Sequence, residues 1–434
     1  MSSQRPTPVD GPAWEQWISE AEDPARVAEK PEALDDLLVL DLSHGHYGAL
    51  LTATYLAELG AEVIKIEPPG GDPARQWGPP DAAVNGEGLA FLAEARNRYH
   101  LALDLETSAG QRLVKGLAAR ADVLVEGFAP GHLDGLGLGY RQLRKRNPRL
   151  VYVACSAWGQ FGPKAHGQPA EYDLTDQALS GLLHITGDPE ATPVKVGSWI
   201  SAYAQAAWAS VAALAALHWR EQSGRGQMID VTGAEALMRY LEYTLLLQHA
   251  SGHTRGRTGL YEIAVFPYTF VPVKDGWAFI AGYTDPNFGA ICRIMGRPEL
   301  AKDPRFNTTL QRTQLENEVQ LRDEIRKWSV NFTSEEILAK VLADPGPGTV
   351  VFGPMNPPTR TLREGHWWER GCFRRLTDPI YGELLLQMPV WRMTRTPPRL
   401  KWPCRPAGYH QGYVLQKYGG SGPSKSLTRG VRQG

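Results

Sequence analysis

Four short runs in the first half of the chain are almost wholly apolar: "LLVLDLS" (37–43), "AEVIKIE" (61–67), "ADVLVEG" (121–127) and "LVYVACS" (150–156). Both faces of each run avoid water, as in strands buried on two sides of a parallel sheet. Between them, "YGALLTATYLAELG" (47–60) and "TSAGQRLVKGLAARA" (107–121) repeat apolar residues every three or four positions, which predicts helices. Strand, helix and strand in this order predict right-handed βαβ units and a doubly wound, mostly parallel, Rossmann-like α/β large domain.

A long apolar helix follows in "KVGSWISAYAQAAWASVAALAAL" (195–217), then a turn, strand and helix in "REQSGRGQMIDVTGAEALMRYL" (220–241). From about residue 245 the pattern alternates. "YTFVPVKDGWAFIAG" (268–282) reads as an antiparallel hairpin around Lys274–Gly276, and "PNFGAICRIMGRPEL" (286–300) as a helix stopped at Gly296. The expected organisation is an N-terminal extension (1–35) bearing Trp14 and Trp17, then the first part of the large domain (36–235). A smaller α+β domain with its linkers (236–345), a return to the large domain (346–404) and a basic tail (405–434) complete the chain.

Composition narrows the function. The 434 residues carry a net charge of −1, which gives no overall pull on nucleic acid. Cys155, Cys292, Cys372 and Cys404 are far apart with no CxxC pair, so reduced thiols in a cytoplasm are expected, with no disulfide framework and no zinc site. No signal peptide is read at the N-terminus, and the run Ala202–Leu217 is short for a bilayer, so a buried helix and no membrane association are expected. The tail from Arg405 holds five Lys or Arg and no acid, a candidate arm over a partner surface.

The common nucleotide and hydrolase signatures are absent: the glycines of "GLGLGY" (135–140) have the wrong spacing, and no GxxxxGK[ST], GxSxG or HExxH occurs. His44 and His46 have no acidic or Cys neighbour in sequence, so they read as pocket-lining residues rather than a metal pair. "EPPGGDPARQWGPP" (67–80) places Arg75 on a loop beyond a strand's carboxyl end, where such sheets bind ligands.

"LVLDLSHGHYGALLTATYLAELGAEVIKIEPPGGDPAR", "ALDLETSAG", "ADVLVEGFAPGHLDGLGLGYRQLRKRNPRLVYVACSAWGQFGP", "YDLTDQALSGL" and "GRGQMIDV" together resemble the class III CoA-transferase (CaiB/BaiF-type) family. The resemblance is dense over residues 36–235 and weaker beyond. It implies a large domain built from both chain ends, a small domain joined by crossing linkers, and two subunits interlocked as a dimer. It also implies the chemistry. A carboxylate attacks an acyl-CoA thioester to form a mixed anhydride, the CoA thiolate then attacks the enzyme's carbonyl, and the second acid is acylated in turn. CoA thioesters are substrates there, and no cofactor is held covalently.

The family's aspartate lies five residues after the glycine matching Gly197. Here that residue is Ala202, and no Asp or Glu occurs between Glu190 and Glu221. Ser201 would trap an acyl group as a stable ester and reads better as a helix cap, while Asp173 and Asp176 lie on another segment. Other departures agree. Glu126-Gly127-Phe128 stands for the family's Glu-Asn-Phe, His100 for a permanent cation after Arg96 and Arg98, and His46-Tyr47 for an aliphatic or glutamine-lined turn. The resemblance thus leaves His46, Arg75, Arg98, Gly127 and Phe128 as a vestigial or weak CoA site.

The reading is a subunit without the nucleophile in a heteromeric CoA-transferase. Its partner is a paralogous chain carrying the aspartate, in an interlocked heterodimer or a 2:2 heterotetramer, and CoA esters are bound there, in one version only there. The reaction moves CoA from succinyl-CoA to a dicarboxylic acid such as (R)-benzylsuccinate, as in anaerobic toluene degradation; malate is the nearest competing acid. Arg255 and Arg257 are the candidates to meet the acid's free carboxylate across the subunit boundary. The alternatives are an inert homodimer that binds CoA esters or regulates a partner, and an active CoA-transferase with an unrecognised nucleophile.

Overall fold

The computed structural model describes residues 27–79, 81–165, 173–262 and 264–419. Trp14 and Trp17 of the N-terminal extension, and residues 420–434 of the basic tail, lie outside them. The chain divides into two compact units: Met1–Leu182, Val196–Glu242 and Gly365–Gly434 form the larger, Leu183–Lys195 and Tyr243–Glu364 the smaller.

The larger unit is built on six parallel strands, β1 (Leu38–Leu42), β2 (Glu62–Glu67), β3 (Arg98–Ala102), β4 (Val123–Glu126), β5 (Val151–Ser156) and β6 (Met228–Thr232), in the order β3-β2-β1-β4-β5-β6. That order reverses direction between β1 and β4, as in the doubly wound dinucleotide folds. The apolar strand runs are explained by burial on both faces: β1, β4 and β5 contain no exposed position.

One layer over the sheet pairs α1 (Tyr47–Glu58) with α5 (Ile200–Ser223). All of α1 except Tyr55 is buried, which is why that helix is apolar nearly all round. The alanine-rich stretch of α5 has a steric reason: Ala209, Ala213 and Ala216 cluster with Ala49, Ala53 and Leu56, so small side chains let the helices approach closely. A Cβ on Gly48 of α1 would stand 1.9 Å from the Gln205 Oε1 of α5. The helix continues to Ser223, six residues beyond the expected run. It is long and apolar enough by composition to cross a membrane, yet one face is packed on α1 and the sheet. On the sheet's other side, α3 (Ser108–Ala118) buries Gly110, Val114, Leu117 and Ala118, the i, i+4, i+7, i+8 face its sequence encodes.

Two further helices, α2 (Leu89–Glu94) and α4 (Asp173–Ser180), position residues of the site. α6 (Gly233–Met238) follows β6 as the sequence implies. The stretch after residue 364 adds a hairpin the sequence reading did not assign, β10 (Phe373–Asp378) with β11 (Gly382–Gln387). It also adds α10 (Gln411–Tyr418), which returns to the sheet edge at β3. Tyr413 of α10 stacks on Tyr99 at 4.5 Å and Lys417 pairs with Glu62 at 2.5 Å. This part of the basic tail is therefore folded onto its own sheet rather than held out as an arm.

The smaller unit carries a three-stranded antiparallel sheet, β7 (Tyr268–Val273), β8 (Gly276–Ala281) and β9 (Val351–Pro354), in that order. The hairpin turns at Lys274-Asp275, where Gly276 adopts φ +139°. Helices α7 (Asp285–Ile294), α8 (Leu315–Ser329) and α9 (Ser334–Ala343) complete the unit, with Phe266, Phe288, Phe306, Leu321 and Ile325 in its core. The smaller unit extends to Glu364 instead of ending near residue 345, because β9 pairs with β8. Residues 183–195 join it as well. Arg257 donates from Nε to the Asp188 carbonyl at 3.0 Å, and the Gly259 N–H donates to the Gly187 carbonyl at 2.9 Å.

Candidate active site

The loops leaving β1 and β4 flank the reversal of strand order, the position where open α/β sheets bind ligands. The loop after β1 is held from beneath by buried charges. Lys65 Nζ donates to Ser43 Oγ (2.8 Å) and pairs with Asp72 (2.5 Å), and the other Asp72 oxygen accepts the N–H groups of Gly45 and Ala74 at 2.8 Å each. Gly45 takes φ +66° there, a left-handed geometry that suits glycine.

Above that loop lies a cavity of about 430 Å³ lined by residues including His44, Glu67, Asp104, Glu106, Phe128 and His132. Three rings form its floor: His44 stacks on Phe128 at 5.2 Å, and Phe128 on His132 at 4.7 Å. Phe128 is oriented by its own N–H, which donates to Glu126 Oε2 at 2.7 Å; burial pushes the Glu126 carboxyl up to about 8. Burial also lowers the His44 imidazole below its usual range.

The residues singled out in sequence separate into two groups. Phe128 and His44 face this cavity, Arg75 and Arg98 are buried inside the fold, and His46 is half-buried and is not among the residues that line it. Arg75 forms a fork on Glu67 (Nε 2.7 Å, Nη2 2.8 Å) and reaches Glu87 at 2.6 Å, with its guanidinium 4.6 Å over the Phe91 ring. Arg98 is fully buried, pairs with Asp41 at 2.7 Å and donates to the Glu94 carbonyl and to Thr54 Oγ1. His100 lies beside Glu67 at 2.9 Å, and burial lowers its imidazole, so no permanent cation stands at that position.

His46 caps α1, its Nδ1 accepting the Ala49 N–H at 3.2 Å, and burial brings its imidazole down to about 4. Its Cβ lies 2.4 Å from where a Cβ on Gly127 would stand, with the Ser43 carbonyl oxygen at 2.6 Å. His46 and Gly127, two separate departures in the sequence, are thus one steric pair. Gly127→Ala should destabilise the protein by about 1–3 kcal/mol, the cost of overpacking a tight site. His46→Ala in the same chain should recover little of that loss in urea melts, because alanine keeps the Cβ at 2.4 Å and the Ser43 carbonyl stays in place, so that only the Cγ contact at 3.0 Å is relieved.

Ala202, at the third position of α5, is 9 % exposed and belongs to a buried cluster with Tyr47, Leu50, Leu51, Phe91 and Ala206. The rings of Tyr47, Trp77 and Trp199 meet pairwise at 4.7–6.0 Å beside it. Tyr203 Oη donates to Glu94 at 3.2 Å. Ser201 is not the helix cap; Trp199 holds the cap position without a side-chain bond, and Asp173 Oδ1 on α4 accepts the Ser201 N–H at 2.7 Å. The other Asp173 oxygen accepts from Gln177 Nε2 at 2.6 Å, so this carboxylate orders the start of α5. Asp176 is buried, with one oxygen 2.2 Å from a Cβ placed on Gly233, which explains glycine there.

In the smaller unit, Arg257 is bound to the carbonyls of Asp188 and Pro189. Arg255 lies 3.6 Å from Glu262 and stacks over Tyr243, and its Nε has no hydrogen-bond partner among the described residues.

A doubly wound sheet with its crevice at the strand reversal, accompanied by an antiparallel α+β unit, defines the class of protein. The chain belongs to CoA-transferase family III, whose model matches residues 34–411. It is similar to succinyl-CoA–D-citramalate CoA-transferase of Chloroflexus aurantiacus, 36% identical over 391 residues, covering 89% of this chain and 94% of that protein. It is 33% identical over 370 residues to the alpha subunit of succinyl-CoA–L-malate CoA-transferase from the same organism, covering 85% and 84%. Mouse succinyl-CoA:glutarate CoA-transferase is 31% identical over 417 residues, covering 94% and 92%. Among solved structures, a CaiB/BaiF family protein from Brucella suis superposes with a TM-score of 0.79 at 29% identity, covering 90% of this chain and all of that one.

Proposed function

We propose that this chain is the subunit without a nucleophile in a heteromeric CoA-transferase that moves CoA from succinyl-CoA to a dicarboxylic acid. The observation that carries the reading is Ala202, a methyl group within an apolar cluster where the family resemblance calls for aspartate. Neighbouring carboxylates do not stand in for it: Asp173 is held by the Ser201 amide and Gln177, and Asp176 is packed beneath Gly233. A nucleophile must reach about 3–3.5 Å from the thioester carbonyl in line, which a side chain fixed elsewhere does not achieve.

The partner is a paralogous chain with the aspartate, joined as a heterodimer or a 2:2 heterotetramer. Its carboxylate attacks the succinyl thioester carbonyl and expels CoA thiolate, leaving a succinyl–aspartyl anhydride. The CoA thiolate then attacks the aspartyl carbonyl, releasing succinate and leaving an aspartyl–CoA thioester on the enzyme. The acid substrate's carboxylate attacks that thioester carbonyl and expels CoA thiolate, leaving an acyl–aspartyl anhydride. CoA thiolate finally attacks the acyl–enzyme anhydride, restoring the carboxylate and forming the product thioester. The naming of one relative as an alpha subunit supports a two-chain enzyme. Relatives named for citramalate, malate and glutarate support a dicarboxylate acceptor as a class, and none of these three is named for (R)-benzylsuccinate. Of the two arginines considered for the acid's free carboxylate, Arg255 is the stronger candidate, since Arg257 is occupied by carbonyls of its own unit.

The test is expression alone and together with the paralogue, followed by an assay of CoA transfer from succinyl-CoA. The lone chain should show no transfer above the uncatalysed rate, and the pair should be active. Sustained turnover by the lone chain would overturn the proposal.

A further inference from the structure

We infer that this chain's own crevice at the β1/β4 reversal is closed to coenzyme A, and that Glu106 and the His46–Gly127 pair close it. The inference rests on the subunit reading for its consequence, one CoA per two chains, but concerns binding rather than turnover.

CoA presents an adenosine 3′-phosphate and a 5′-diphosphate, which are held elsewhere by lysine, arginine or free backbone amides. The residues lining the cavity include the carboxylates Glu67, Asp104 and Glu106, and among the described residues lining it there is no lysine or arginine. Lys65 and Arg75, on two neighbouring segments, are enclosed in the fold: Lys65 between Asp72 and Ser43, Arg75 between Glu67 and Glu87. Two amides of the lining residues are also occupied by side chains: the Glu106 N–H donates to Asp104 Oδ1 at 2.9 Å and the Phe128 N–H to Glu126 Oε2 at 2.7 Å. A phosphate arriving here would meet carboxylates and the imidazoles of His44 and His132, with no lysine or arginine among the described lining residues to replace its hydration shell.

The second barrier is steric. A pantetheine arm would have to pass from the ring floor toward Ala202. His46 lies half-buried against Gly127 on that side, and Tyr47 continues into the rings of Trp77 and Trp199. Asp104 and Glu106 are exposed, so their repulsion is screened at physiological salt. The missing cations and the occupied path therefore outweigh it.

Equilibrium dialysis with labelled CoA tests this on the purified full chain and on its complex with the paralogue. The expected results are no saturable binding to the chain alone and one CoA per two chains in the complex. Saturable micromolar binding to the lone chain that Phe128→Ala weakens, or two CoA per two chains, would overturn the inference. Glu106→Lys combined with His46→Ala should tighten CoA binding by about tenfold or more, the scale of one charge-assisted hydrogen bond. If that double variant keeps the wild-type circular dichroism and still binds no CoA, these residues are not what closes the crevice. Turnover is read separately: a chain that binds CoA without transferring it would sink this inference and leave the subunit reading standing.

Discussion

Ala202→Asp should fail to convert this chain into an active CoA-transferase and should lower its stability by about 2–4 kcal/mol at neutral pH, the scale of a buried polar group without a partner. The new carboxylate would enter a cluster lined by Tyr47, Leu50, Leu51 and Phe91, with Asp173 holding the amide of the preceding residue, Ser201. Burial and a neighbouring carboxylate both disfavour its ionised form, so its folded pKa lies above its unfolded value. The sign follows: the variant is least impaired below the unfolded carboxylate pKa and loses stability as pH rises above it. Urea melts at pH 5 and pH 8 should therefore show the larger deficit at pH 8. Turnover by Ala202→Asp alone within about tenfold of the paired enzyme would mean that the nucleophile is all the chain lacks.

Arg75→Ala should cost about 3–5 kcal/mol, because it leaves Glu67 and Glu87 enclosed without their cation. The guanidinium meets both Glu67 oxygens and one of Glu87, donates to the Arg405 carbonyl at 2.9 Å and covers the Phe91 face. Hydrogen bonds from Arg75 and His100 keep the Glu67 carboxyl well below the usual range against the opposing effect of burial. Arg75→Lys should recover little of the loss, since an ammonium lacks the planar fork. The check is the midpoint of thermal or urea unfolding. A stability change under about 1 kcal/mol, together with weakened ligand binding in the complex, would return Arg75 to the role of a ligand residue.

These two residues mark how far the sequence could be read. The apolar runs at 38–42, 62–67, 123–126 and 151–156 were legible as strands because burial on two faces removes alternation. β3 was less visible, since "RYHLA" carries Arg98 and His100 where its neighbours are aliphatic. Both are buried, each beside a carboxylate from a different strand, and no local pattern announces that pairing. Arg75 on a Pro/Gly-rich loop looked like a ligand residue for the same reason: its partners are 8 and 12 residues away, across a turn. The β10–β11 hairpin escaped because "FRRLTDPIYGELLLQ" mixes charges into short strands with mostly partly or fully exposed faces.

By itself the sequence determined the doubly wound sheet, the separate α+β unit, the family and the presence of Ala202 where the family resemblance calls for an aspartate. Each of these is written locally, in period, composition or a single position. The tertiary structure alone decided that Arg75 and Arg98 are internal ion-pair partners, that Asp173 holds the Ser201 amide at the start of α5, and that Gly127 has no room for a Cβ beside residue 46 and the Ser43 carbonyl. Those facts depend on which segments a six-stranded sheet brings within hydrogen-bond or contact distance, and residues tens of positions apart carry no mark of that proximity in the chain.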